Sequence, residues 1–178
     1  DTIQQVQCYG ECNGEVVLHT TGAVSPYTFN WSTTQNYLGP GPDTLLDLCP
    51  GGYQVLISDA YGCDTVVEFN ISEPPELYAE AFSIQPVQCF SFDDGQAMAT
   101  QTGGAFITAN DYTYSWSFIQ DFNTPIADTI TPVIINTTNF DSLLIPGVHC
   151  VTITDTNGCI ASDTVLITEP TQLHVDIP

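Results

Sequence analysis

Cysteines are the residues of this chain with the clearest chemistry: it holds seven in 178 residues. That content is typical of an oxidising compartment, where thiols are oxidised in pairs to disulfides. Four of them stand at equivalent places in two copies of one sequence pattern, Cys8 and Cys63 in the first copy and Cys89 and Cys159 in the second. The recurrence predicts two disulfides, Cys8–Cys63 and Cys89–Cys159.

The first copy holds two further cysteines, Cys12 and Cys49, whose counterparts in the second copy are Asp93 and Ile145. Because both are present in one copy and both absent from the other, they predict a third disulfide, Cys12–Cys49. Other connectivities stay open, since four cysteines allow three pairings. The alternative is a zinc site made of all four cysteines of the first copy, but the second copy keeps only part of that set and the spacings match no common zinc motif.

Cys150 is the seventh cysteine and has no counterpart, because Gln54 occupies the equivalent position. Strand alternation places it on the face opposite to His149 and Val151, away from the core. We expect it to be unpaired within the chain. It either bridges to a neighbouring chain or fills space beneath an insertion that only the second copy carries.

Two aspartates, Asp59 and Asp155, recur in an Asp-x-x-Gly-Cys segment of each copy. A carboxylate there can cap the backbone amides of a tight turn, or it can be a ligand of Ca²⁺. We expect the capping role and keep calcium as the alternative. No other metal and no cofactor is predicted.

The composition argues against catalysis. The chain has no Lys or Arg against 21 Asp and Glu, and its three histidines lie at non-equivalent positions without a Ser or Cys partner. We therefore do not expect the chain to form Schiff bases, to bind phosphate through basic side chains, or to use an activated nucleophile. A net charge of −21 repels nucleic acid and anionic lipid. No apolar run is long enough to span a membrane.

Short strands must position these residues. Apolar side chains recur with period two in the segments around Tyr27–Trp31 and Tyr53–Ser58. Such segments are bounded by Gly, Pro, Asn and Asp, and none shows helical periodicity. The sequence therefore predicts an all-β protein of tandem Ig-like antiparallel β-sandwich modules, with Trp31 and Trp116 buried in separate cores.

The two copies meet at Glu73-Pro74-Pro75-Glu76, where the prolines interrupt strand pairing and stiffen the joint. We predict a first module over 1–74 that lacks its first strand, a second over 75–170 with an enlarged loop 117–140, and the start of a third over 171–178. The array is expected to continue on both sides of the chain.

The recurring residues also resemble those of a known family, the SprB repeat. The similarity rests in the first copy on Cys8, Gly10, Gly14, Gly22, Pro26, Tyr27, Trp31, Leu48, Gly51, Tyr53, Asp59, Gly62, Cys63 and Pro74. The second copy keeps Cys89, Gly95, Trp116, Gly147, Asp155, Cys159 and Pro170, but has Ser91, Asp111 and His149 where the pattern has Gly, Pro and Tyr. The resemblance implies a large secreted surface adhesin of Bacteroidota, associated with gliding motility and exported by the type IX route.

A second pattern resembles the O-glycosylation signal of Bacteroidota, which is Asp followed by Ser or Thr and then an aliphatic residue. It occurs six times, at Thr2, Thr44, Thr65, Thr129, Ser142 and Thr164. The alternative is that Asp and Thr are simply frequent in this chain and favour turns and strand starts.

Two classes of function follow. The favoured one is a structural and adhesive stalk segment whose partners are neighbouring repeats of the same polypeptide, and surface polysaccharide or another cell-surface protein. The alternative is a carbohydrate-binding module that uses the 117–140 insertion and exposed aromatic side chains, namely Tyr37, Tyr61, Phe118 and Phe122.

Overall fold

A computed structural model describes residues 2–33, 37–106, 111–120, 134–136 and 138–176 of the chain. The described residues form fourteen β-strands and no helix. None of them therefore forms a helix that could cross a membrane. The chain divides into two compact units, Asp1–Pro75 and Glu76–Pro178.

The first unit is a two-sheet sandwich of seven strands. They are β1 (Thr2–Gln4), β2 (Gly14–Val17), β3 (Thr28–Thr33), β4 (Tyr37–Gly41), β5 (Thr44–Leu48), β6 (Gly51–Ser58) and β7 (Asp64–Ile71). One sheet has the order β1-β2-β5 and the other β4-β3-β6-β7, and all pairings are antiparallel.

The second unit repeats this arrangement. Its strands are β8 (Tyr78–Gln85), β9 (Gly95–Thr102), β10 (Thr113–Gln120), β11 (Ile134–Asn136), β12 (Phe140–Leu144), β13 (Gly147–Thr154) and β14 (Ile160–Ile167). The sheets are β8-β9-β12 and β11-β10-β13-β14. Consecutive strands cross between sheets at the same steps in both units, which confirms the predicted Ig-like sandwich class.

Alternation along the strands builds each core. β13 alternates between buried and half-buried residues over its whole length, and β6 does so from Gly52 onward. Trp31 and Trp116 are 1% and 3% exposed in two separate clusters, as the sequence predicted. The ring of Trp31 meets Phe69 edge to face at 6.1 Å, and its Nε1 donates to the carbonyl of Pro42 at 2.9 Å.

The first module was expected to lack its first strand, and the structure forms a short part of it. β1 is present, and Gln4 pairs with Glu15 as Gln85 pairs with Gln96 in the second module. The strand is only three residues long, whereas β8 has eight. A run of three residues is too short to show a period, so no sequence pattern could indicate this strand.

The insertion of the second module also contains more structure than a loop. β10 continues to Gln120, and β11 pairs with its residues Tyr114 to Trp116. Residues 121–133 and 137 of the 117–140 segment lie outside the described residues. Residues 171–176 form no strand, so the start of a third module stays a prediction.

Candidate functional site: the two ends of each module

Each module has a hairpin end, where β6 turns into β7 or β13 into β14. In the first module, Asp59 Oδ1 accepts hydrogen bonds from the backbone N–H of Tyr61 at 2.9 Å and of Cys63 at 2.8 Å. Its Oδ2 accepts from the N–H of Val24 at 3.3 Å. One carboxylate thus closes the hairpin turn and ties it to a loop from another part of the module. These hydrogen bonds hold the pKa of Asp59 below its usual value, and the bond from the Cys63 N–H has the largest effect.

Asp155 repeats this network in the second module. Its Oδ1 accepts from the N–H of Asn157 and of Cys159, both at 2.9 Å, and its Oδ2 accepts from Ala105 at 2.7 Å. Both aspartates therefore cap turns, which was the expected role. Among the described residues no three His, Cys, Asp or Glu side chains are grouped so that they could hold a metal ion. The carboxylate oxygens that calcium would need are already bonded to amides.

The opposite end of each module, which we call the Glu-Pro end, is held by a second carboxylate. Glu73 Oε2 accepts from the N–H of Gly10 at 2.7 Å, and Glu169 Oε2 from that of Ser91 at 2.8 Å. Sequence reasoning treated these glutamates only as a boundary signal. Their recurrence before Pro at a fixed distance from the last strand was the signal that could have revealed the role.

The Glu-Pro end needs a left-handed backbone in the turn after the first recurring cysteine. Gly10 has φ of 77° and Ser91 has φ of 61°. Glycine adopts this conformation without cost, whereas a residue with a Cβ is strained. The second module thus keeps the turn although it has lost the residue best suited to it.

The structure forms one of the predicted disulfides. Cys12 and Cys49 are joined with an S–S distance of 1.96 Å. Cys63 and Cys89 are free and exposed, so the predicted pairs Cys8–Cys63 and Cys89–Cys159 are not formed. Those two predictions are wrong within these modules.

Strand length explains the error. Val6 donates to the carbonyl of Ser72 at 3.0 Å, which places Cys8 at the Glu-Pro end beside the last residues of β7. Cys63 precedes the first residue of β7, nine residues earlier along an extended strand. At a rise of about 3.3 Å per residue this separates the two ends by roughly 30 Å, far beyond the ~6 Å that a disulfide allows between Cα atoms. The same holds for Cys89 and Cys159 along β14, since Val87 bonds Thr168.

Cys150 is half-buried on β13, opposite Ser117 and Thr164, and its thiol is free. It lies on the non-core face, because its neighbours His149 and Val151 are buried. The part of the insertion that would cover it lies outside the described residues. Its role as an apolar filler or as a bridge stays a prediction.

The four aromatic candidates for carbohydrate stacking do not share one surface. Tyr61 is 80% exposed at the hairpin turn. Phe118 is half-buried and packs on the ring of His149 at 5.1 Å between centroids. The side chain of Tyr37 and the whole of Phe122 lie outside what the structure describes. Within the described residues, Tyr61 alone of the four presents an open ring face.

The O-glycosylation candidates share one kind of position. Each described one lies on a strand at the edge of its sheet, with Thr2 on β1, Thr44 on β5, Thr65 on β7, Ser142 on β12 and Thr164 on β14. Four are exposed, while Thr44 is half-buried and donates to Asp43 at 3.2 Å. Thr129 lies outside the described residues. Polar or modified residues at edges prevent strands from pairing with other molecules.

The fold and its repeated ends define a tandem of Ig-like sandwich modules, and comparisons with known proteins agree on the class. Residues 1–36 match the family described as SprB repeat, which confirms the resemblance over that part of the chain. No curated protein matches the chain.

Among solved structures, the three N-terminal domains of the Highly Immunogenic Outer Capsid protein (Hoc) of bacteriophage RB49 are similar with a TM-score of 0.50 and 18% identity. That match covers 94% of this chain and 59% of the Hoc chain. A fragment of intimin, solved with its receptor domain, gives a TM-score of 0.42 and 14% identity, over 94% of this chain and 64% of its own. The chain thus spans about three fifths of these two solved fragments, and at such identity the likeness to Hoc concerns the fold alone.

Proposed function

We propose that this chain is a structural and adhesive repeat segment of a large secreted bacterial cell-surface protein. The observation that carries the proposal is that both modules devote their recurring polar residues to the same end networks. Asp59 and Asp155 close one end, and Glu73 and Glu169 close the other. In a modular spacer, recurring side chains are expected to stabilise the turns of each repeat rather than to line a binding pocket.

Surface location is supported by the family match and by charge. Residues 1–36 match the SprB repeat, and the chain has 21 acidic side chains and no basic ones. A strongly negative surface stays soluble and resists self-association. Export by the type IX route and a part in gliding motility follow from the resemblance and belong to the same proposal, as do contacts with neighbouring repeats, surface polysaccharide or another surface protein.

O-linked glycans on the edge strands are part of this proposal. A chain without Lys cannot protect its sheet edges with positive charge, and an attached sugar would do so sterically. The protein isolated from its source bacterium should carry mass increments on peptides that contain Thr2, Thr65, Ser142 and Thr164. Unmodified peptides at all four positions would refute this part and leave the stalk proposal standing.

The central experiment is localisation combined with loss of adhesion. Antibodies raised against the chain should label intact cells of the source bacterium without permeabilisation. Deletion of the segment in frame should reduce attachment of cells to a surface while the rest of the protein is still exported. Labelling that requires permeabilised cells would contradict the proposal.

A carbohydrate-binding module receives less support from the geometry. A sugar-binding platform uses aromatic rings that face solvent together. Tyr61 is open, but Phe118 is occupied by its contact with His149. Polysaccharide binding that is lost in Tyr61→Ala would favour this second function over a spacer.

A further inference from the structure

The four recurring cysteines occupy two kinds of module end, yet equivalent cysteines are not in the same state. Cys8 and Cys159 are half-buried, and each takes part in a disulfide. Their counterparts, Cys89 and Cys63, are exposed and free. Because equivalent positions of two copies differ in this way, the shared framework of the module does not explain the difference.

The other cysteines leave few partners for the two oxidised ones. All seven cysteines lie in the described part of the chain. Of the five besides Cys8 and Cys159, two are bonded to each other and three are free, namely Cys12 with Cys49, and Cys63, Cys89 and Cys150. The pairing must therefore be sought between the two cysteines that remain.

Cys8 lies at the end of the first module from which the linker leaves. The N–H of Gly10, two residues after Cys8, donates to Glu73 Oε2 at 2.7 Å. Glu73 directly precedes Pro74, where the linker begins. The hydrogen bonds of the first module thus hold Cys8 beside the start of the linker.

Cys159 lies at the end of the second module at which the linker arrives. Its backbone N–H donates to Asp155 Oδ1 at 2.9 Å. Gly104 lies against the same aspartate and against Leu77, since a Cβ on Gly104 would come within 2.9 Å of Asp155 Oδ2 and 3.0 Å of Leu77 Cδ1. The packing of the second module thus holds Cys159 beside the first residues after the linker.

The linker is short enough to bring the two cysteines within reach of each other. Glu73 and Leu77 are separated by four residue steps, which span at most about 14 Å when fully extended. A short tether raises the effective concentration of one thiol at the other to the millimolar range. Cys63 and Cys89 lie at the far ends of their modules, where β7 and β8 separate them from the linker.

We propose that Cys8 and Cys159 form a disulfide that joins the first module to the second. The bond and the linker together give the joint two covalent connections instead of one. In a surface spacer, such a bond would share with Pro74 and Pro75 the load that passes from one module to the next. The bond itself does not depend on an adhesive role of the chain.

The oxidation requires a two-electron acceptor, which a small-molecule disulfide such as oxidised glutathione provides. The Cys8 thiolate attacks one glutathione sulfur, so that the glutathione disulfide breaks and one glutathione thiolate leaves. The Cys159 thiolate then attacks the Cys8 sulfur of the mixed disulfide and releases the second glutathione thiolate. The protons of the two protein thiols end on the two glutathione thiols, so one small-molecule disulfide is reduced as one protein disulfide forms.

The composition of the chain allows a direct test of this bond. Because the chain has no Lys or Arg, trypsin has no site in it, and Pro75→Arg introduces a single site in the linker. After oxidation with glutathione and cleavage with trypsin, this variant should run as one species without reductant. With reductant it should separate into the fragments 1–75 and 76–178. In the unreduced wild type, cleavage at acidic residues should release a cross-linked peptide that contains Cys8 and Cys159.

Three further substitutions in the Pro75→Arg chain identify the pair. Cys8→Ser and Cys159→Ser should each let the two fragments separate without reductant. Cys150→Ser is the matched control and should leave the fragments joined. Titration of thiols in denaturant should find three free thiols in the oxidised wild type, and either of the first two substitutions should release one more.

Two results would overturn the proposal. Fragments of the oxidised Pro75→Arg chain that separate without reductant would show that no disulfide joins the modules. A Cys8→Ser chain that stays joined would show that a different pair of cysteines makes the connection. Neither result bears on whether the chain is a surface spacer, which the localisation experiment tests separately.

Discussion

His149 makes in the second module the hydrogen bond that Tyr53 makes in the first. Tyr53 Oη donates to the carbonyl of Cys49 at 2.9 Å, and His149 Nε2 donates to the carbonyl of Ile145 at 2.9 Å. Both acceptors lie four residues before the donor, in the turn that leads into β6 or β13. The substitution keeps the bond but introduces a group that titrates near neutral pH.

His149 should make the second module sensitive to mild acid. Burial lowers the pKa of its imidazole, against smaller opposing effects of the Ile145 bond and of Asp141. The neutral ring is therefore favoured in the folded state, and the unfolded chain binds the proton at higher pH. Stability should be complete above the ordinary pKa of about 6.5 and fall as the pH drops below it. Urea denaturation at pH 7.5 and at pH 5.5 measures the change.

His149→Tyr is the matched variant for that measurement, since it restores the residue of the first module. Its second module should lose the pH dependence in this range. A wild-type midpoint that is the same at both pH values would contradict the assignment.

Asp155 should be a strong contributor to the stability of the second module. Asp155→Asn keeps the size of the side chain but replaces an acceptor oxygen with an amide donor, so at least one part-buried hydrogen bond from a backbone N–H is lost. We expect a loss of about 1–3 kcal/mol in the free energy of unfolding. Asp59→Asn tests the equivalent, more exposed site and should destabilise the first module in the same direction. Added EDTA should change neither wild-type midpoint; a shift would indicate a calcium site instead.

Ser91 is strained at φ of 61°, so Ser91→Gly should stabilise the second module. Relief of the left-handed strain exceeds the entropy that glycine adds to the unfolded chain, and the net gain should be about 0.5–1 kcal/mol. Gly10→Ser is the reciprocal change and should destabilise the first module, although no atom lies within 4 Å of the added Cβ. Thermal unfolding of both variants measures the effects. If Ser91→Gly instead lowered the melting temperature of the second module, the Ser91 hydroxyl would have a stabilising role of its own.

The Cys12–Cys49 disulfide closes a loop of 37 residues in the first module. Replacing the pair by the residues of the second module, with Cys12→Asp and Cys49→Ile together, should cost about 2–4 kcal/mol through the entropy of the unfolded chain. The second module serves as the internal control, because it has no counterpart of this bond. Loss of stability in both modules alike would mean that the substitution acts elsewhere than through the loop.

Sequence alone determined the features that depend on local alternation. Tyr53, Val55 and Ile57 are buried as the period of two required, because a strand sends successive side chains to opposite faces whatever surrounds it. Comparison of the two copies also found the Cys12–Cys49 pair, since two cysteines that are both present in one copy and both absent from the other are expected to be bonded to each other. The class of fold followed from the same patterns, repeated twice.

The tertiary structure decided what happens at the ends of the modules. The bond from Gly10 to Glu73 joins residues 63 positions apart, and no local pattern encodes which turns a sandwich brings together. For the same reason the recurrence of Cys8 and Cys63 could not show that a whole strand separates them. The pairing of β5 with β2, which places Thr44 at a sheet edge, is likewise a property of the assembled sheets. A sequence specifies which residues alternate, whereas the order of the strands specifies which of them meet.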